Sequence, residues 1–378
     1  MVLKFYMTII IGIILLGFLV FIHEMGHFLA SKACGVKVEA FSIGMGPVII
    51  HKEWHGTDWR FSLLPFGGYC AMKGEKDYEE SLEEGVILER DSFYGTKPLR
   101  RAFIGFAGPL ANFLFSVFAF FLIAMIGYTY YSAGNTIRLA TDSYPELHSA
   151  AAEAGLLSGD KIISINKKET ADFSRIYELV ASHPDEDIRI FVEREGKQLE
   201  FVVHTDMDKS TGEGKIGVMS DPSSVEARLY PRHSFFPAIG QGFYQTFHLI
   251  ALSFKGIASL FKGVNVSESI AGPARITSMM GETARAGFSA GFKSGLVSVL
   301  NFMALICVSL FIMNLLPFPI LDGFLVLSSI IEAIFGVRLS PKVRNVVQYL
   351  GIAIIAMLFL LAISGDFHYF SELIHAKK

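Results

Sequence analysis

The chain has 378 residues, 52% of them hydrophobic, and its mean hydropathy of +0.44 exceeds the balance usual in soluble domains. A formal net charge of -3 without a long basic run excludes a general polyanion binder, so we expect no nucleic-acid partner. Three cysteines without paired spacing exclude a disulfide framework or a cysteine-rich metal site. The composition therefore predicts a membrane protein.

The first apolar run covers residues 5–21 and contains no ionisable side chain, so it is long enough to cross a bilayer. A basic residue before it and small residues after it also fit a cleavable secretory signal. We expect an uncleaved anchor instead, because cleavage near Ala33 would discard the cluster of ionisable residues at the end of this span.

That cluster is an H-E-x-x-H pattern formed by His23, Glu24 and His27. Residues four apart share one helix face, so both imidazoles can reach one metal ion, for which zinc is the natural occupant. Glu24 can then act as a general base that takes a proton from the attacking water and passes it to the leaving amine. Such groups cost about 3 kcal/mol each at a helix centre, so they predict function rather than a simple helix end at the interface.

The loop before the second span is rich in basic residues, which predicts that it lies in the cytoplasm. Its segment 61–72 is apolar and strand-prone and includes the turn-forming stretch Pro65, Phe66, Gly67 and Gly68. The segment predicts a β-hairpin. A second span follows at 102–131.

The polar segment 134–220 predicts a small α+β domain outside the cytoplasm, with a helix over 147–154, a strand over 161–166, a helix over 173–182 and a hairpin that turns at 195–196. Residues 221–290 predict amphipathic interfacial helices. Within them, residues 243–261 are expected to lie on the membrane, since their polar side chains would need partners in lipid, although a fifth span remains the alternative.

The third and fourth spans are predicted over 295–316 and 346–363. Two histidines leave zinc short of ligands, so a third protein group is required. Asp322 is the best candidate, because prolines break the helix just before it and broken helices often build sites at membrane depth. Glu332 is the weaker rival.

Together, the H-E-x-x-H pattern and the later N-x-x-P-x-P-x-x-D-G run at 314–323 resemble the site-2 protease family of intramembrane zinc metalloproteases. The resemblance is chain-wide and includes the segments 41–47 and 105–112. It is strongest to the bacterial branch of the regulator-of-sigma-E protease type. Residues 151–156 and 159–166 also look like the PDZ domains of bacterial proteases, which bind extended peptides at a sheet edge.

This resemblance implies zinc held by His23, His27 and Asp322, with Glu24 as general base. It implies that Asn112 and Asn314 lie beside the site, where their amides hold the substrate backbone or the developing oxyanion. The stretch 65–68 would belong to a membrane-dipping hairpin that pairs with substrate, and an ordinary cytoplasmic hairpin is the alternative. The implied partners are single-span membrane proteins, such as anti-sigma factors or remnant signal peptides, together with membrane lipid and a peptide or protein ligand of the PDZ domain.

The chain departs from the family pattern in two places. Many members have two glycines after the aspartate, whereas this chain has Gly323 followed by Phe324, and the largest members carry two PDZ domains. The segment 269–276 is also similar to the family, without a chemistry that we can deduce for it.

We therefore predict a polytopic α-helical membrane protein with about four transmembrane helices, a membrane-dipping β-hairpin and an inserted small α+β PDZ domain. Its predicted parts are 1–133, 134–220, 221–290 and 291–378. We expect a multi-pass protein of the bacterial inner membrane, with the PDZ domain and both termini extracytoplasmic and the active site toward the cytoplasm. The alternatives are a catalytically idle PDZ scaffold, a membrane H-E-x-x-H protease of another class, and a zinc transporter, which the absence of internal repeats disfavours.

Overall fold

The computed structural model describes residues 2–82, 88–209, 211–260 and 272–375. Contacts divide the chain into two compact units. The first comprises 1–126, 233–250 and 271–378, and the second comprises 127–232 and 251–270.

The described helices longer than a single 3₁₀ turn are, in chain order, α1 (Val2–Cys34), α2 (Pro98–Ile126), α3 (Ala150–Glu153), α4 (Phe173–Ala181), α5 (Phe235–Leu260), α6 (Pro273–Ser289), α7 (Phe292–Leu315), α8 (Asp322–Phe335) and α9 (Pro341–His375). The described strands are β1 (Val38–Trp54), β2 (Thr57–Met72), β3 (Tyr128–Ser132), β4 (Ile137–Leu139), β5 (Lys161–Ile165), β6 (Lys168–Glu169), β7 (Asp187–Arg194), β8 (Lys197–His204), β9 (Asp206–Met207), β10 (Gly214–Lys215), β11 (Val218–Ser220) and β12 (Glu226–Tyr230).

Four of the described helices are long and apolar enough to cross a membrane, in agreement with the four predicted spans. They are α1 from Tyr6, α2, α7 and α9 as far as Phe367. The second was predicted as far as residue 131, but its helix ends at Ile126 and residues 128–131 lie in β3. Helix α5 has 26 residues but is not among these four, because polar side chains interrupt its apolar sequence. The protein is therefore a multi-pass membrane protein.

Small residues let the helices of the first unit approach one another closely, as is common between membrane helices. A side chain at Gly26 of α1 would collide with the backbone of Ala107 in α2, so these two helices touch through their main chains. Similar crossings at Gly12 and Gly281 join α1 to α6. Helix α1 is thus held between α2 and α6 along much of its length.

Helix α6 begins against a carboxylate from the C-terminal helix. Asp366 of α9 is buried and accepts hydrogen bonds from the backbone N–H groups of Gly272 at 2.8 Å, Ala274 at 3.1 Å and Arg275 at 3.3 Å. It therefore caps the N-terminus of α6, where the free amides and the helix dipole favour an anion. This contact covers part of the family-like segment 269–276, of which 269–271 lie outside the described residues.

The β1–β2 hairpin follows α1, and its long strands bend back so that the beginning of β1 pairs with two different parts of β2. The beginning of β1 pairs on one side with residues 68–72 and on the other with residues 57–62, as when Phe41 faces both Cys70 and Trp59. Residues 57–62 also pair with 48–54. The stretch 68–72 therefore forms an outer edge of this small sheet, and its outer side has no partner strand in the described chain.

The second unit is built around a four-stranded antiparallel sheet in the order β6-β5-β7-β8. Its core is aliphatic and includes Ile162, Ile188 and Ile190, each fully buried. Strands β5, β7 and β8 and helix α4 match the predicted elements, and the hairpin turns at 195–196 as predicted, whereas β6 was not predicted. The helix predicted over 147–154 is shorter, since α3 starts only after Ser149, whose side chain accepts a hydrogen bond from the N–H of Ala152.

One buried ion pair fixes the turn before β5. Asp160 is 1% exposed and accepts hydrogen bonds from Arg194 at 2.6 and 2.7 Å and from the N–H of Leu157 at 2.9 Å. Burial alone would raise the pKa of Asp160, but the bonds from Arg194 and Leu157 outweigh it and lower the pKa below the ordinary value of 3.8.

We predict that Asp160→Asn lowers the stability of this unit by about 1.5–3 kcal/mol at neutral pH, because it removes a charge-assisted pair. Since the folded pKa is lowered, the stabilisation is present above the unfolded value of 3.8 and is lost as the pH falls through the folded value. Amide hydrogen exchange of β5 and β7 in the full-length protein, measured across this acid range, checks both effects. The exposed Glu169→Gln is the matched control, and equal exchange rates in wild type and Asp160→Asn would contradict the prediction.

Candidate metal centre

Three ligand-type side chains meet where α1 approaches the start of α8. His23 and His27 lie one turn apart on α1, and Asp322 is the first residue of α8. Their candidate ligand atoms all lie within 4.8 Å of one another. The structure thus brings together two residues of the first span and one that is 295 positions beyond His27, as the sequence predicts.

The three groups point their reactive atoms at a common space. Asp322 Oδ2 lies 3.1 Å from His23 Nε2, and Asp322 Oδ1 lies 3.4 Å from His27 Nε2. The two Nε2 atoms are 3.3 Å apart. Both oxygens of one carboxylate therefore face the inner nitrogens of both imidazoles.

The chain turns sharply to deliver Asp322. Helix α7 ends at Leu315, and the two prolines that follow cannot continue it, so a short irregular stretch leads to α8. Ile320 in this stretch has a φ of 85°, an uncommon value for a β-branched residue. A side chain at Gly323 would collide with the carbonyl oxygens at the end of α7, so glycine is required there. Phe324, where many family members have a second glycine, lines the adjacent cavity.

Helix α2 fixes the tautomer of His27. Its Nδ1 lies 2.8 Å from the carbonyl oxygen of Ile104, and a carbonyl can only accept, so Nδ1 carries the proton. The neutral ring then presents a lone pair on Nε2 toward Asp322. Gly108 lies one turn further along α2, and a side chain there would collide with His27 Nε2.

Asn112 also lies on α2 and approaches His23 from the outside. Its amide nitrogen is 3.1 Å from His23 Nδ1, and the residue is fully buried. Its Oδ1 has no hydrogen-bond partner among the described residues. Asn112 thus lies beside the candidate metal centre, as predicted, but it is not among the residues that line the cavity described below.

The residues fit a zinc ion. Two imidazole nitrogens and a carboxylate are a donor set that this metal prefers. Asp322 Oδ2 is buried and receives no hydrogen bond of acceptable geometry within the described chain, despite its 3.1 Å separation from His23. With Nε2 unprotonated on His27, the shared space is lined by electron pairs, which favours a cation.

A cavity of about 1680 Å³ opens beside these groups. It is lined by His23, Glu24 and His27, by Asn314 at the end of α7, and by Asp322. The predicted general base and one of the two predicted amides therefore border the same space as the candidate ligands.

The β-hairpin forms another wall of this cavity. Gly67 and Gly68 line it, and a side chain at Gly68 would press on the Cγ atom of Glu24 at 3.0 Å. The side chains of Pro65 and Phe66, also predicted to bind substrate, lie outside the described part of the structure. The unpartnered edge of the hairpin therefore runs next to the predicted base.

Glu332, the rival for the third ligand, lies elsewhere on α8. It forms ion pairs with Arg101 and Arg338, and Arg101 is 1% exposed. Both of these partners are cations, so the carboxylate of Glu332 is already engaged in two ion pairs. The pairing ties the start of α2 to the end of α8.

Three groups near the centre were not predicted from the sequence. They are the carbonyl of Ile104, Gly108 and Glu75, whose carboxylate lines the cavity just after β2 and accepts a bond from the N–H of Met72 at 3.2 Å. Burial raises the pKa of Glu75, against the opposing effects of the Met72 N–H and of His27. Only Gly108 had a sequence signal, since it stands in the family-like segment 105–112.

Comparisons with known proteins agree with this geometry. A model of peptidase family M50 matches residues 11–358. A candidate zinc metalloprotease of Treponema pallidum (strain Nichols) is 32% identical, with 96% of this chain and 99% of the relative covered. Others of the same description occur in Rhizobium meliloti (strain 1021), at 31% identity and 96% coverage of both chains, and in Campylobacter jejuni, at 32% identity with 96% and 94% covered.

The match extends through all four candidate spans, from the first helix into the last, and so includes both halves of the metal centre. The relatives are covered over nearly their whole length, so the likeness is not confined to one segment. The chain belongs to peptidase family M50, the site-2 protease family, and is a zinc metalloprotease.

Proposed function

We propose that this protease hydrolyses peptide bonds within or beside the transmembrane segments of single-span membrane proteins in the bacterial inner membrane. The observation that carries the proposal is the convergence of His23, His27 and Asp322 at one end of an apolar span, with Glu24 on the wall of the adjoining cavity. Ionisable groups placed at such a depth are costly unless they serve a function. Anti-sigma factors and remnant signal peptides are the substrate classes that we favour.

His23, His27 and Asp322 hold the zinc in this proposal. Zinc, when bound, polarises the scissile carbonyl as a Lewis acid and lowers the pKa of water. Glu24 takes the proton from the attacking water and returns it to the leaving amine. Its place on the cavity wall, next to the backbone of Gly68, supports this role.

A transmembrane helix has its backbone groups already paired, so it must be unwound before its carbonyl can be attacked. The open edge of residues 68–72 is suited to receive the unwound segment, because an extended peptide can add to a free strand edge through main-chain hydrogen bonds. Gly67 and Gly68 on this edge, and the amide of Asn314 across the cavity, would hold the substrate backbone.

The part of the hairpin around residues 49–50 and 63–64 supports the proposal that the hairpin dips into the membrane. Large apolar side chains there are exposed, among them Ile49 at 54%, Ile50 at 67%, Leu63 at 58% and Leu64 at 50%. Exposed apolar surface of this extent is unusual in contact with water. In lipid it would place the substrate-pairing edge at the depth of the scissile bond.

The second unit serves, in this proposal, as an extracytoplasmic PDZ domain that screens substrates. Its small α+β fold and the outer edge of β8, which pairs with no strand among the described residues, support peptide binding by strand addition. The basic residues between α1 and α2 and before α9 favour a cytoplasmic location for those loops. Both termini would then be extracytoplasmic and the active site would open toward the cytoplasm.

We predict that Asp322→Asn weakens zinc binding by more than about 100-fold, because changes outside the ligand shell alone cost about 10- to 100-fold. Chelator competition on the purified full-length protein measures the affinity. Glu332→Gln is the matched control, since it makes the same carboxylate-to-amide change on the same helix, and it should keep the wild-type affinity. The ligand assignment is wrong if the two variants exchange these outcomes.

Glu24→Gln should retain zinc and lose cleavage by about 10²- to 10⁴-fold, the usual contribution of general acid–base catalysis. Co-expression with single-span candidate substrates, followed by detection of the cleaved fragments, provides the measurement. Glu75→Gln alters another carboxylate that lines the cavity and should cause a smaller loss. Cleavage by Glu24→Gln at the wild-type rate would refute the assignment of the base.

Replacing Leu63 and Leu64 together by asparagine should reduce cleavage of a membrane-embedded substrate by at least about tenfold. Each leucine that leaves lipid costs about 1.5–3 kcal/mol, so the hairpin would be held less firmly at the membrane. Cleavage of an unfolded peptide with the same scissile sequence in detergent should persist, and zinc content should not change. The control is Val225→Asn, another exposed apolar position, which lies just before β12. Equal losses on both substrates would rule out membrane docking of the hairpin.

A further inference from the structure

We propose that Asn112 is a positioning residue that holds His23 in the tautomer able to bind zinc, by accepting a hydrogen bond from His23 Nδ1 through its side-chain oxygen. The proposal rests on the proposed function, because it takes His23 to be a zinc ligand. It assigns Asn112 a role on the metal ligand instead of the substrate contact that the family resemblance implies.

Burial separates Asn112 from the substrate. The residue is 0% exposed, and its Oδ1 is itself buried. It does not line the cavity that contains Glu24 and Asn314. A substrate backbone in that cavity could reach Asn314, which lines it, whereas Asn112 contacts His23 and is not part of the lining.

The chemistry of imidazole requires an acceptor at this place. A neutral ring has one protonated nitrogen and one lone pair, so binding zinc through Nε2 requires the proton on Nδ1. The atom of Asn112 placed 3.1 Å from His23 Nδ1 is the amide nitrogen, which can only donate. In that orientation His23 would carry its proton on Nε2, the atom that lies 3.1 Å from Asp322 Oδ2, and would present no lone pair to a metal.

Turning the carboxamide by 180° converts one state into the other. The oxygen and nitrogen exchange places within the same volume, so Oδ1 faces Nδ1 and accepts its proton. The turn also supplies a donor for Oδ1, which otherwise has no partner in the described chain. The two orientations of Asn112 therefore correspond to the metal-free and the metal-binding tautomers of His23.

Helix α2 also provides a hydrogen-bond acceptor for the other histidine, His27. The carbonyl of Ile104 accepts from His27 Nδ1 at 2.8 Å and leaves Nε2 free for the metal. Ile104, Gly108 and Asn112 are spaced four residues apart and so share one face of α2. This face supplies one acceptor for each imidazole, with a glycine between them that lets both rings approach.

The test compares Asn112→Leu with Asn112→Asp in the purified full-length protein. Leucine has the same branched shape but no acceptor, whereas a carboxylate is only an acceptor. We expect Asn112→Leu to bind Zn²⁺ about 10- to 100-fold more weakly in chelator competition, as is usual when a second-shell partner is lost. Asn112→Asp should bind Zn²⁺ at least as tightly as the wild type.

Ser116→Ala is the matched control, because Ser116 lies one turn further along α2, is equally buried and bonds to Thr246 at 3.2 Å. It should leave zinc affinity unchanged. The proposal is overturned if Asn112→Leu retains wild-type affinity, or if Asn112→Asp loses affinity, as expected of a residue that must donate. If the leucine variant does not fold, the aspartate variant decides alone, since the donor and acceptor roles predict opposite results for it.

The outcomes also separate this proposal from the proposed function. Wild-type protein that binds no zinc, or Asp322→Asn protein that binds it normally, would refute the ligand set. Normal zinc binding by the wild type together with unaltered binding by Asn112→Leu would refute only the positioning role. A Co²⁺-loaded sample gives a second readout, because a displaced His23 should alter the visible absorption bands of the metal.

Discussion

The structure of the first unit, which contains the membrane spans, is governed by one constraint. Two imidazoles and a carboxylate must come together at one end of an apolar helix. Their inner atoms are 3.1–3.4 Å apart, and none of the three groups would be stable so close together in lipid without a compensating cation or proton. The surrounding packing serves this convergence. Helix α2 touches α1 backbone to backbone at Gly26, and the break before α8 places Asp322 opposite the histidines.

Local sequence signals predicted much of this arrangement. Apolar runs located the four spans, because the bilayer requires a minimum length of apolar helix whatever the neighbours are. The four-residue spacing of His23 and His27 followed from helix geometry, and the prolines before Asp322 marked the break in the third span. In the second unit, the alternation of apolar and polar residues predicted the strands, and Glu195 and Gly196 predicted the turn between them. Both signals are local in the sequence.

What could not be predicted depends on contacts between distant parts of the chain. The carbonyl of Ile104 is a backbone group and leaves no trace in the sequence, yet it fixes the proton on His27 across 77 positions. Asn112 was expected beside the site, but only its three-dimensional surroundings show that its amide faces His23. Helix α3 is shorter than predicted, since the side chain of Ser149 caps it and no periodicity reports where a cap lies. The double pairing of β1 was equally hidden, because strand register is a property of the partner strand.

The hydrogen bonds that cap α6 determine which amino-acid substitutions are compatible with the cap at residues 272–275. Asp366 is bonded to main-chain amides, which every residue except proline carries, so these hydrogen bonds do not depend on which side chains stand at Ala274 and Arg275. Gly272 has no such freedom, because any side chain there would collide with the carboxylate of Asp366. Among the contacts of the last helix, its join to α6 thus requires one acidic side chain and one glycine, whatever side chains follow at 274 and 275.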